Sequence, residues 1–82
     1  MASEETRIQI ASDPDHENVC AEIYVADKFV ALLSHEPNSE QRLEFPGVGQ
    51  DEALLQRTVA LDVFLRAVEQ AREALLGCSP GA

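Results

Sequence analysis

Asp13-Pro14-Asp15-His16-Glu17 sets carboxylates at alternate positions, as a calcium loop does at its positions 1, 3 and 5. The likeness ends there, because position 6 is Asn18 rather than glycine and position 12 is Tyr24 rather than glutamate. This stretch reads better as an acidic loop. His16 and His35, with Cys20 or neighbouring acids, are residue types that bind zinc or move protons. Only two histidines and two cysteines are present, however, with no C-x-x-C pair and no serine set as an evident nucleophile. A glycine-rich phosphate loop is also missing. A chain of 82 residues builds one small core and no deep cleft. These features argue against an enzyme, and they predict no cofactor, no metal and no disulfide.

Charge carries more information when it is mapped than when it is summed. Residues 1–52 hold twelve acids against Arg7, Lys28 and Arg42, a net of −9, whereas residues 53–82 hold three acids and three arginines, a net of zero. Such a field repels nucleic acid and anionic membranes and attracts basic proteins. The longest apolar run, Phe29 to Leu33, is far shorter than the ~20 residues that span a bilayer. The first ten residues, MASEETRIQI, have neither a basic nor an apolar leader region, which predicts a cytoplasmic protein.

The elements that position these residues follow from periodicity. Thr6 to Ala11 alternates with Ile8 and Ile10 on one side and reads as a strand; Asp13-Pro14-Asp15 ends it. Val19 to Val25 and Phe29 to Glu36 read as a hairpin whose two-residue loop, Ala26-Asp27 or Asp27-Lys28, favours a type I′ turn. Glu36-Pro37-Asn38-Ser39 is a turn by composition, and Gln41 to Phe45 alternates again. Asp51 to Arg57 favours helix locally but runs into β-branched Thr58 and Val59. From about Ala60 to Leu76, the residues Leu61, Phe64, Leu65, Val68, Ala71 and Leu75 mark one apolar stripe of an α-helix, with Asp62 near its start and Gly77 suited to a left-handed residue closing it. The reading is an α+β domain over residues 1–77, a small antiparallel sheet of three to four strands with one C-terminal helix packed on one face. A disordered tail over 78–82 follows.

Either two-residue hairpin loop puts Val19, Ala21, Ile23 and Val25 on one face with Val30 and Leu32, which predicts the core, whereas a three-residue loop would flip one strand relative to the other. The other face then carries Cys20, Glu22, Tyr24, Phe29, Ala31, Leu33 and His35, beside Glu44. One helix covers one face, so the second is expected to stand bare, and a bare apolar patch ringed by acids marks a protein-binding surface. Glu22, Tyr24, Phe29 and Glu44 are the expected partner-binding residues, with Asp13, Asp15 and Glu17 of the acidic loop contributing at the rim. Self-association through the same face, or partial cover by residues 46–58, competes with that expectation.

The strand AEIYV (21–25), the tight turn, FVALL (29–33), LEFP (43–46) and VALDVFLRAVEQA (59–71) together resemble the small sheet-plus-helix immunity proteins of bacterial polymorphic toxin systems, in particular those of contact-dependent growth inhibition. The resemblance spans roughly residues 19–76 and rests on core-forming positions. It implies a cytoplasmic inhibitor that neutralises a cognate toxin domain, often a nuclease with a basic surface, and it implies no residue roles. The alternative is a self-associating acidic structural or adaptor protein, with a homodimer as its simplest form.

Overall fold

Among the described residues, four strands and one helix follow one another as β1 (Thr6–Ala11), β2 (Cys20–Val25), β3 (Lys28–Ser34), β4 (Arg42–Glu44) and α1 (Leu61–Gly77), with a 3₁₀ turn at Glu52–Leu54. The computed structural model describes residues 5–12, 14, 16–47 and 52–77. Asp13, Asp15 and the 78–82 tail fall outside them. The strands form one antiparallel sheet in the order β1-β2-β3-β4, and α1 packs on one of its faces, an α+β arrangement.

Local turn chemistry sets the meander. Ala26 and Asp27 have φ of 53° and 65°, the two positive values of a type I′ turn, and Val25 pairs with Lys28 across it. An alanine with positive φ costs about 1 kcal/mol or more, a strain the closed hairpin sustains. At the other end of β3, Asn38 has a φ of 58° directly after Pro37, and Ser39 N–H donates to the Glu36 carbonyl at 3.1 Å. Proline followed by a residue of positive φ is the sequence of a type II turn.

One irregularity reorganises the hairpin. Tyr24 pairs with Phe29, but Ile23 pairs with Ala31, so Val30 has no opposite residue in β2. This β-bulge turns Val30 and Ala31 to the same side. Both are buried in the helix-side core with Ala21, Ile23, Val25, Leu33, Ala67, Ala71 and Leu75. The expected parity is therefore corrected beyond the bulge. Ala31 and Leu33 (3% exposed) are core, whereas Leu32 (8% exposed) lies on the opposite face between Glu22 and Glu44.

The helix stripe is also rotated from its expected position. Ala67, Ala71 and Leu75 are buried, with Val63, Phe64 and Val68 packed beside them, while Leu61 and Leu65 are 69% and 53% exposed. Small Ala67 and Ala71 let the backbone approach the sheet closely. Gly77 is the last helical residue and does not adopt the left-handed conformation. The helix lies chiefly on β1 and β2 and touches β3 least. Width explains this better than length: a helix about 10 Å across covers about two strands spaced about 4.8 Å apart.

Leu75→Ala is expected to lower the unfolding free energy by ~2 kcal/mol or more and Leu65→Ala by less than ~1 kcal/mol, both read from urea denaturation midpoints. Equal losses would contradict this orientation of α1.

Candidate functional site

The sheet face away from α1 is built in register rows. Arg7 lies opposite Tyr24, Tyr24 opposite Phe29, and Phe29 bridges to Leu55, forming one row across the sheet. The next row runs Gln9, Glu22, Leu32, Glu44. Side chains in these rows share a face because the pleat alternates. Glu22, Tyr24, Phe29 and Glu44, expected together from the sequence, thus lie on one face. Glu17 sits in the adjoining loop, and Asp13 and Asp15 are outside the described residues.

The aromatic row is packed within itself. The Arg7 guanidinium lies over the Tyr24 ring at 4.2 Å from its centroid, and Tyr24 and Phe29 meet edge to face at 5.7 Å and 70°. An exposed cation over an aromatic ring contributes about 0.5–1 kcal/mol, and an edge-to-face pair a similar amount. Tyr24 Oη donates to Glu22 Oε1 at 3.0 Å, and Arg7 Nη1 to Gln9 Oε1 at 2.8 Å. Burial, then the hydrogen bond to Glu22, push the Tyr24 phenol above its ordinary pKa, so it is neutral at physiological pH. The row presents a half-buried ring with a polar tip, flanked by one cation and one carboxylate.

This face is partly roofed rather than bare. Leu55 is buried where residues 55–56 run alongside β3, with Gln56 N–H donating to the Phe29 carbonyl at 2.9 Å. Cys20 and Leu32 are buried on the same face and lie outside the helix-side core. Three buried apolar side chains, Cys20, Leu32 and Leu55, thus lie within the expected patch. Among the described residues, the large apolar side chains left exposed are Phe45, Leu54, Leu61, Leu65 and Leu76, and none of them is in the Arg7-Tyr24-Phe29 or Gln9-Glu22-Leu32-Glu44 row.

At the far end of the face, Glu44 Oε2 accepts from His16 Nε2 at 2.6 Å and from Ser34 Oγ at 2.8 Å, with Ser34 buried. A nucleophilic triad places the imidazole between hydroxyl and carboxylate. Here the carboxylate stands between the other two, so the arrangement ties the 16–18 loop to β3 and β4 and does not relay protons to the serine. Glu36 fastens the same loop: its two carboxylate oxygens accept from Glu17 N–H at 2.7 Å and Asn18 N–H at 3.1 Å, while Asn18 Nδ2 donates to the His35 carbonyl at 2.7 Å. Among the described residues no group of three or more His, Cys, Asp or Glu could hold a metal ion, and no helix is long and apolar enough to cross a membrane.

Sequence reasoning missed Arg7, Ser34 and Glu36 as members of this surface, whereas Leu55 belongs to the 46–58 segment whose partial cover stood as a competing expectation. Arg7 was findable, since its alternation with Ile8 puts it outward from β1. Searches against protein-family models, curated proteins and solved structures find no match to this chain.

The Glu36 loop clasp has a pH signature. Hydrogen bonds from the Glu17 and then the Asn18 backbone hold its carboxyl below the ordinary value of 4.5. A folded-state pKa lowered in this way stabilises the fold fully above the unfolded-state value, and that stabilisation is lost as pH falls through the folded-state value. Parent and Glu36→Gln urea midpoints should therefore differ most near pH 7 and converge as pH falls below the ordinary value of 4.5. A difference constant across that range would show that the charge of Glu36 is not what fastens the loop.

Proposed function

We propose that this chain is an immunity-type inhibitor that binds a basic toxin domain, a nuclease in the reading its resemblance favours, through the acid-flanked sheet face. The observation that carries the reading is how charge divides over the fold. The excess of nine negative charges belongs to residues 1–52, which supply all four strands and their connections, while residues 53–82, including α1, sum to zero. Within that acidic half, Tyr24 and Phe29 offer the kind of aromatic anchor on which interface energy concentrates, and Glu22, Glu44 and Glu17 supply steering charge around it. An inhibitor of this kind works by occupying the basic surface on which its target holds substrate. It needs no chemistry of its own.

The test begins with co-expression and co-purification of the product of the gene immediately upstream. The expected partner is basic, and its association rate constant should fall about tenfold or more between ionic strengths of about 0.01 and 0.15 M, with dissociation changing far less. Tyr24→Ala should weaken binding at least ~30-fold. The same substitution removes contacts with Arg7 and Phe29, so it should also lower stability by ~1–2 kcal/mol, and affinity must be measured on the folded fraction. An acidic partner, a salt-independent association rate, or full affinity in folded Tyr24→Ala would each refute the reading.

A further inference from the structure

On the helix side of the sheet, the half that α1 leaves uncovered forms a largely apolar trough of about 360 Å³, walled by Val30, Phe45, Pro46, Val59, Leu61 and Phe64, with Gln56 and Arg57 also lining it. Phe45 at its rim is 62% exposed. Along the adjoining shoulder of α1, Leu61, Leu65 and Leu76 are each more than half exposed, and their spacing puts them on one side of the helix. The principal apolar exposure of the described residues is therefore here, not on the face that carries Tyr24.

We infer that this trough is the contact between two copies of the chain, the α1 of each packing beside the α1 of the other over its uncovered strands. The geometry asks for a second helix, since a four-stranded sheet has room for two and each chain supplies one. The helix that would fill the space needs an apolar shoulder beyond the one that packs on its own sheet, and α1 carries such a shoulder in its exposed leucines. Electrostatics selects the same surface. Two copies, each of charge −9, repel, and the segment that builds α1 and the 56–59 wall is neutral overall. The strand carboxylates Glu22 and Glu44 lie on the opposite face with Leu32, so contact on the helix side keeps them apart. A twofold arrangement lets one patch serve both copies. Interfaces below ~1,200 Å² of total buried area are weak, and a dimer closed through one trough and one helix shoulder per copy is of that reversible kind. The inference does not depend on what binds the opposite face.

Sedimentation under reducing conditions tests it. The parent should be dimeric at about 100 μM and dissociate on dilution. Leu65→Lys should be monomeric at the same concentration, with unchanged circular dichroism, because position 65 is exposed and lysine is a good helix former near Asp62 and Glu69. Tyr24→Ala, on the other face, should remain dimeric. A parent that is monomeric at about 100 μM overturns the inference. So does a dimer that survives Leu65→Lys or disappears in Tyr24→Ala. A monomeric parent whose co-purified partner is lost on Leu65→Lys would assign the trough to that partner and overturn it equally.

Discussion

A single extra residue in β3 decides how the apolar content of this small protein is shared between two faces. Were the hairpin regular, Leu32 would point at the helix, and Ala31 and Leu33 would point away. With Val30 bulged, Val30, Ala31 and Leu33 enter the core against Ala67, Ala71 and Leu75, and Leu32 joins Cys20 and Leu55 on the other side. The sheet thereby gains packing on both faces, one thick under the helix and one thin under the 16–18 and 55–56 segments. For a chain that removes only somewhat over ~60% of its unfolded surface from water, burial on both faces is a large share of what stabilises it.

That partition also separates two kinds of surface. Acids, the Tyr24–Phe29 pair and tethered loops gather on the sheet side, where the carboxylates of Glu36 and Glu44 hold the 16–18 loop in place. Apolar exposure without net charge gathers on the helix side, because α1 is one helix wide and lies over β1 and β2. An acidic surface favours a basic partner, and a neutral apolar surface tolerates another copy of itself. The two can be engaged at once, since they lie on opposite faces of a single sheet.

Much of the fold is legible in the sequence where the signal is local. The strand alternation, a positive-φ turn somewhere in Ala26-Asp27-Lys28 and the Pro37-Asn38 turn each follow from residues within a few positions of one another, and the structure selects Ala26-Asp27. The bulge is not legible, because Phe29 to Leu33 are all apolar and any register buries something. Leu61 and Leu65 mislead for a related reason: leucine outweighs alanine on any apolar scale, yet the smaller Ala67 and Ala71 are what allow the helix to sit close to the sheet. His16 and Glu44 are 28 positions apart in sequence, and only the fold brings them to 2.6 Å. Glu22, Tyr24, Phe29 and Glu44 were legible as one face because all except Glu44 precede the bulge or pair outside its reach, and Glu44 is carried to that face by its pairing with Leu32.

The placement of Leu32 and Leu33 tests the central role of the bulge most directly, and methyl-resolved nuclear Overhauser spectroscopy reads it. The account predicts cross-peaks linking the Leu33 methyls to the methyl groups of core residues such as Ala67, Ala71 and Leu75, and none of these from Leu32. Cross-peaks from Leu32 to those α1 residues, with Leu33 silent, would mean a regular hairpin. The division of the two faces set out here would then be wrong.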